Sequence, residues 1–181
     1  MRVNLQKSPF IRLVTVLLLM ALAFSLVSCA EEKIFGHCEI TLSLPDTFNE
    51  YDSEKTYDKA YTDGEMIVGI LRISYSACSS EGIPTTMTPR KLADYYKDRA
   101  LSGAEVGDVE VDGDLVYYCY KLGGEIDSGY TYLATFYFTP YAYFVITYIA
   151  ADESFDALMP KMLSYARTFR ITPEWSSNVE K

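Results

Sequence analysis

The longest apolar stretch outside the N-terminal segment runs from Tyr130 to Ala150 and reads YTYLATFYFTPYAYFVITYIA. Two runs of aromatic and β-branched residues, which favour strands, flank Thr139-Pro140-Tyr141. Proline has a fixed φ of about −65° and no backbone N–H, so it suits a turn and cannot continue a ladder. The stretch therefore predicts a β-hairpin. Because both faces of each arm are largely apolar, we expect other layers to cover it above and below.

Turn signals divide much of the remaining sequence into short strands. Asp63-Gly64 and Asp112-Gly113 are strong hairpin signals because both residues tolerate positive φ. The segment that ends at Pro45 alternates apolar and polar residues, as a half-buried strand does. The predicted strands besides the central pair are 39–44, 57–62, 66–74, 105–111 and 115–122. Residues 48–55 and 75–87 are expected to be loops.

Two segments have the spacing of helices. Thr88-Pro89 combines an N-cap residue with proline at the first helical position, and the helix is expected to end by Ser102-Gly103. After Ala151 the apolar period changes from about two to about 3.6. The residues of this second stripe are Phe155, Leu158, Met159, Met162, Leu163, Ala166 and Phe169.

The last helix carries three further expectations. Asp152 or Ser154 can accept the free N–H groups of its first turn. Pro160 removes a backbone donor, so we expect a kink there or a helix that starts at this residue. Leu163 on the helix and Phe136 on the central hairpin are expected to be buried against each other.

The order of these elements predicts an α+β fold, an antiparallel sheet of about six or seven strands with helices packed on both faces. Several landmarks between residues 39 and 171 resemble the PsbP family, named for the extrinsic protein of photosystem II. They are Leu44-Pro45, Thr88-Pro89, Asp112-Gly113, the aromatic strand pair and Thr168-Phe169-Arg170. The resemblance implies an α/β/α sandwich and a docking or assembly module, not an enzyme.

The N-terminal segment has the pattern of a signal peptide. A basic start precedes an apolar run from Leu13 to Val27, which is shorter than the roughly 20 residues of a spanning helix. Leu26-Val27-Ser28-Cys29 resembles the lipobox of bacterial lipoproteins, which implies cleavage before Cys29 and acylation of its thiol with chains such as palmitate. The alternative is an ordinary secretory signal cut near Ser28.

These patterns predict four regions and one location. The regions are a signal peptide at 1–28, a short tether at 29–36, a single domain at 37–172 and a C-terminal tail at 173–181. The acylated Cys29 would hold the domain on the extracytoplasmic face of the cell membrane. From Cys29 onward the chain has 13 bases against 25 acids, a net charge of −12. This charge repels phosphate backbones, so we expect no nucleic-acid partner.

Alternating acids precede and follow the second turn, at Asp108, Glu110, Asp112 and Asp114. A calcium loop requires a bidentate Glu at its twelfth position, which counted from Asp108 is Cys119. We therefore interpret the acids as a solvated face. The minority interpretation is that Asp108, Glu110 and Asp114 contact a weakly bound cation or a basic partner.

The chain has one histidine, His37, and it has three cysteines after Cys29. No G-x-S-x-G or H-E-x-x-H motif accompanies His37, so a solvated or capping role is expected and no catalytic residue is predicted. Cys38, Cys78 and Cys119 lack the close spacing of zinc ligands, and His37 and Cys38 would face opposite sides of a strand. We predict no metal or cofactor. One disulfide plus a free thiol, and three buried thiols, both remain open.

Tyrosines are abundant in the strands and allow two interpretations. Tyr117, Tyr118, Tyr120, Tyr130, Tyr132, Tyr141 and Tyr143 could form a stacking platform for a ligand, or fill the core and its rim. The function hypothesis is a membrane-anchored, non-enzymatic docking module with a protein partner. The alternative is a surface lipoprotein that binds a small ligand or a cation.

Overall fold

The structure is a computed structural model that describes residues 32–53, 56–99, 101, 103–123 and 129–172. Within these ranges the chain forms short strands and three helices. The strands are β1 (Glu32–His37), β2 (Ile40–Pro45), β3 (Asn49–Glu50), β4 (Lys59–Thr62), β5 (Met66–Ser74), β6 (Glu105–Val106), β7 (Glu110–Asp112), β8 (Leu115–Lys121), β9 (Tyr130–Phe138), β10 (Ala142–Ala151) and β11 (Arg170–Ile171). The helices are α1 (Tyr75–Glu81), α2 (Pro89–Arg99) and α3 (Asp152–Ala166).

The larger sheet has eight strands, and the central hairpin lies in its middle. The order is β3-β4-β5-β10-β9-β8-β6, with β7 also paired to β8, and each pair is antiparallel. Phe138 lies opposite Tyr143 and Tyr130 lies opposite Ala151, so the chain reverses at 139–141 as predicted. Seven consecutive residues of each arm are buried, which confirms that the hairpin is covered on both faces.

The two turn signals are also confirmed. Asp63-Gly64 joins β4 to β5, and Asp112-Gly113 joins β7 to β8. The predicted strand at 105–111 is interrupted between β6 and β7. Its ladder is not wholly lost there, because the Gly107 N–H still donates to the Cys119 carbonyl at 2.8 Å.

A smaller sheet with the order β1-β2-β11 was not predicted. Glu32 pairs with Pro45 and His37 pairs with Ile40, so residues 32–36 of the predicted tether lie in β1. Phe35 is the buried residue of this strand, and its ring centroid lies 4.6 Å from that of Tyr61. With a single buried residue, β1 has no alternation from which a strand could be inferred.

Different elements cover the two faces of the larger sheet. One face packs against α3 and the smaller sheet, around side chains such as Leu42, Phe144 and Met162. The other packs against α1 and α2, around Leu92 and Phe136. This arrangement confirms an α+β fold with helices on both faces.

The predicted contact between Phe136 and Leu163 is wrong. Phe136 lies on the α2 face, where its ring centroid is 6.1 Å from that of Tyr96. Leu163 packs on the α3 face, against the core that contains Leu133 and Tyr137. Side chains of a strand alternate between faces, and the apolar faces of β9 gave no sign of which one met which helix.

Helix α1 replaces part of the predicted loop at 75–87. The Ser74 hydroxyl accepts from the Ala77 N–H at 3.2 Å, and Gly82 ends the helix with a φ of 70°. Glycine adopts this left-handed conformation without steric cost. Cys78 is the only buried residue of the helix, so its sequence shows no apolar period.

Helix α3 runs from Asp152 to Ala166 and does not restart at Pro160. The expected caps are wrong, because Ala151 occupies the N-cap position and no side chain bonds the free N–H groups there. Asp152 instead accepts from the Thr131 hydroxyl and pairs with Lys121 at 3.0 Å. Its carboxylate is therefore drawn toward the end of the central hairpin.

Candidate functional site

The predicted lipid attachment residue, Cys29, and the whole signal peptide lie outside the described residues. Acylation and cleavage therefore stay predictions. Within the ranges that the structure describes, no helix has the length and apolar content required to cross a membrane.

An apolar groove opens between the tip of the central hairpin, the loop before α2, and β11. Its volume is about 520 Å³. It is lined by Tyr75, Thr85, Thr86, Met87, Thr88, Phe138, Thr139, Pro140 and Ile171, none of which is charged. Phe138 is 53% exposed and Ile171 is 46% exposed, and Tyr141, which follows Pro140 at the hairpin tip, is 41% exposed. Clustered exposure of large apolar side chains is typical of binding surfaces.

Two tyrosines fix the walls of the apolar groove. The Tyr143 hydroxyl donates to the Pro84 carbonyl and accepts from the Met87 N–H, both at 2.8 Å. The Tyr75 hydroxyl donates to the Thr139 carbonyl at 2.7 Å. The rings of Tyr75 and Tyr143 pack edge to face, with centroids 5.0 Å apart. The loop before α2 and the hairpin tip are thereby held to the sheet.

A buried ion pair supports the same end of the molecule. The Arg72 guanidinium donates to both carboxylate oxygens of Glu39, from Nε at 2.9 Å and from Nη2 at 3.2 Å. Glu39 is 1% exposed, and it also accepts from the hydroxyl of Thr139, which lines the groove. The sequence reasoning missed this pair. A lone arginine in the apolar strand MIVGILRIS was the available signal, since such a charge requires a partner.

A second groove, the charged groove, lies between the β7–β8 turn and the end of α3. It has a volume of about 470 Å³ and is lined by Asp112, Gly113, Asp114, Leu115, Tyr137, Ala166, Arg167, Phe169 and Arg170. Arg167 donates to Asp112. The rings of Tyr137 and Phe169 are stacked, with centroids 4.0 Å apart. Carboxylates, guanidinium groups and aromatic rings therefore share one open surface.

The three acids predicted as a possible contact site do not converge. Asp108 lies beside α2, with Oδ1 3.7 Å from Lys97 Nζ. Asp114 lines the charged groove near the end of α3, and Glu110 is exposed on β7. In the part of the chain that the structure describes, no three His, Cys, Asp or Glu side chains form a group that could hold a metal ion. Their role as a partner or cation contact stays a prediction.

Comparison with known proteins gives one informative result. Neither a protein-family model nor a curated protein matches the chain. Among solved structures, the cyanobacterial PsbP protein (CyanoP) of Synechocystis sp. PCC 6803 matches with a TM-score of 0.55 and 15% sequence identity, over 80% of this chain and 95% of that one. The chain has a PsbP-like fold. The structure of LpqN, involved in cell envelope biogenesis of Mycobacterium tuberculosis, matches at 14% identity over 79% of this chain and 91% of that one, and its TM-score of 0.43 supports no inference.

One landmark of the PsbP-like resemblance has a clear structural role here. Thr168 joins the end of α3 to β2, because its hydroxyl oxygen accepts from the Ser43 N–H at 2.9 Å. The next residue, Phe169, forms the stack with Tyr137. Arg170 donates to the Arg167 and Phe169 carbonyls, near the negative end of the α3 dipole. This landmark therefore builds one side of the charged groove.

His37 and Cys38 lie together at the turn between β1 and β2. Cys38 has a φ of 52°, so it lies in the turn and not in the strand. The expectation that His37 and Cys38 face opposite sides of a strand is therefore wrong. The Cys38 Sγ is 3.6 Å from His37 Nε2. Burial raises the pKa of the Cys38 thiol and lowers the pKa of His37, although Asp58 opposes the shift on the histidine. Both shifts favour a neutral thiol and a neutral imidazole over the charged pair that a cysteine nucleophile needs.

The other cysteines and most tyrosines belong to the core. Cys38 in the β1–β2 turn, Cys78 on α1 and Cys119 on β8 are free thiols. The buried members of the predicted tyrosine platform are Tyr118, Tyr132 and Tyr143, and its exposed members are Tyr130 and Tyr141. The exposed two lie at opposite ends of the central hairpin. The tyrosines therefore pack in the core and at its rim and do not form one platform.

Proposed function

We propose that the chain is a lipid-anchored docking module on the extracytoplasmic face of the cell membrane, with a protein partner and no catalytic activity. The observation that carries this proposal is the apolar groove, which is uncharged, fixed by the hydrogen bonds of Tyr75 and Tyr143, and edged by exposed Phe138 and Ile171. A groove of this kind suits an apolar protein segment better than a reactive substrate.

The position of β1 supports the proposal. Only Ala30 and Glu31 separate Cys29 from β1, so acyl chains on Cys29 would lie within about 10 Å of chain length from the domain. Glu32 stands at one end of the β1–β2 pair, and the turn that carries Glu39 stands at the other, about 20 Å along the strand. Because Glu39 bonds Thr139 of the groove, the groove lies at the opposite end of the β1–β2 pair from Glu32.

Replacement of the anchor cysteine tests the membrane half of this proposal. The Cys29→Ala variant is expected to lose all label from a metabolically supplied fatty acid and to leave the membrane fraction or remain unprocessed. Cys38→Ala is the matched control, because its thiol lies in the domain, and it should keep the label. Label retained in Cys29→Ala would contradict the lipoprotein reading.

The charged groove supports the alternative, a small-ligand lipoprotein. Arg167 and Arg170 offer donors for a carboxylate or phosphate, and the stacked rings of Tyr137 and Phe169 offer an apolar wall. Arg167 already has Asp112 as its partner, so a ligand anion must compete with that carboxylate. Because a ligand would first have to displace Asp112, we rank the small-ligand alternative second.

A further inference from the structure

The described chain ends at the edge of the apolar groove. Ile171 lines the groove, and the N–H of the next residue, Thr172, donates to the Glu39 carbonyl at 2.7 Å. Glu39 in turn accepts from Thr139 in the groove wall. The main chain is therefore held beside the groove up to residue 172, and the nine residues of segment 173–181 continue from that point.

The chemistry of this segment fits the groove. Pro173 follows directly, and its fixed φ of about −65° suits a turn at the end of a strand. Trp175 follows two residues later and can reach at most about 10 Å from Thr172. An indole has a large apolar face and one N–H donor. The groove offers apolar walls, threonine hydroxyls and about 520 Å³ of space.

We propose that segment 173–181 docks into the apolar groove of its own chain, with the Trp175 indole between Phe138 and Ile171. The segment then acts as an internal competitor that a protein partner must displace. The competitor role rests on the proposed function, but docking itself does not, and it can be measured without any partner.

Trp175 is the only tryptophan of the chain, so selectively excited tryptophan emission reports on this residue alone. The experiment uses the full chain in phosphatidylcholine vesicles. We expect the emission to be blue-shifted relative to the chain unfolded in urea, with several-fold weaker quenching by acrylamide. Phe138→Ser and Ile171→Ser should each shift the emission to the red and raise the quenching toward the unfolded value.

Tyr130→Ser is the matched control for Phe138→Ser. Tyr130 is 47% exposed and lies on the same strand, at the opposite end from the groove, so its loss should leave the emission unchanged. Circular dichroism of each variant verifies that the fold is retained. A variant that unfolds is replaced by Phe138→Thr or Ile171→Thr, which keep a residue with strong strand preference.

Three results would overturn the proposal. Tryptophan emission of the native chain that equals that of the unfolded chain would show an exposed indole. Blue-shifted emission that neither groove variant alters would place the indole on another surface. Quenching by brominated phosphatidylcholine would place it in the bilayer. In all three cases the fatty-acid labelling of Cys29 is unaffected, so failure of this inference is distinct from failure of the lipoprotein reading.

Discussion

The two grooves differ in the ion pairs beside them. The apolar groove stands next to Glu39 and Arg72, whose side chains are 1% and 23% exposed. The charged groove is crossed by Asp112 and Arg167, whose side chains are 58% and 48% exposed. A buried pair fixes one geometry, since breaking it strands a charge, whereas an exposed pair exchanges readily with water and ions. The apolar groove is thus suited to a preformed docking surface and the charged groove to solvent or a small ion.

The largest expected difference between the grooves concerns these pairs. Arg72→Ala leaves the Glu39 carboxylate, which is 1% exposed, without its guanidinium partner and should lower the free energy of unfolding by about 3–5 kcal/mol. Arg167→Ala should change it by at most about 1 kcal/mol. Urea denaturation of both variants measures the contrast. Equal effects would mean that the Glu39 pair is not buried in solution.

Each groove also has a tyrosine whose hydroxyl donates to a backbone carbonyl. Removing the two hydroxyls should give a smaller difference in the free energy of unfolding than removing the ion pairs. Tyr137 donates to the Ala166 carbonyl at 2.8 Å within the core, and this carbonyl also accepts from the Phe169 N–H at 3.3 Å. Tyr137→Phe removes the shorter of these two buried hydrogen bonds and should cost about 1 kcal/mol. Tyr75 donates to Thr139 at 2.7 Å in a partly exposed position, where water can replace it. Tyr75→Phe should therefore cost less than Tyr137→Phe in the same denaturation experiment. The reverse order would contradict the burial of the Tyr137 hydroxyl.

Stability is expected to depend on pH through His37, which lies close to Glu39 at the end of the molecule that carries the apolar groove. Burial lowers the pKa of His37 below its ordinary value of 6.5, and Asp58 only partly compensates. The unfolded chain then binds a proton more readily, so the contribution of His37 to stability is complete above pH 6.5 and declines as the pH falls below it. His37→Gln should flatten the stability profile in that window. Since His37 is the only histidine, its NMR titration is unambiguous, and a midpoint above 6.5 would contradict this account.

The smallest effect is expected for the three exposed acids in and around β7. Asp108, Glu110 and Asp114 are exposed, so the triple change to Asn, Gln and Asn should leave stability unchanged or slightly higher. Millimolar calcium should shift the melting temperature of neither the wild type nor this variant. A calcium-dependent rise that the triple variant abolishes would establish a cation site and favour the ligand-binding alternative.

The sequence predicted those parts of the fold that have a strong local signal. The apolar arms around Pro140, the Asp63-Gly64 and Asp112-Gly113 turns and the Thr88-Pro89 helix start are all present. It did not predict β1 or α1, because each buries a single residue and so has no period to detect. The local sequence also could not predict which face of β9 packs against which helix. Both faces of β9 are apolar, and only the tertiary structure assigns Phe136 to α2.

The apolar groove could be predicted only in part. Phe138 and Pro140 belong to a hairpin that the sequence identifies, but Ile171 and Thr86 reach the groove from elements distant in sequence. The Glu39–Arg72 pair joins residues 33 positions apart. No short motif encodes such a contact, although an arginine within an apolar strand indicates that an acidic partner lies nearby.

Photo-crosslinking from two positions tests the central claim most directly. A photoreactive amino acid is placed at position 138 in the apolar groove, or at position 114 in the charged groove, of the anchored full chain in its own membrane. Trp175→Ala is included in both chains so that segment 173–181 does not compete. We predict a discrete crosslink to a second protein from position 138 and none from position 114. A crosslink from position 114 alone, or from neither position, would contradict the docking function of the apolar groove.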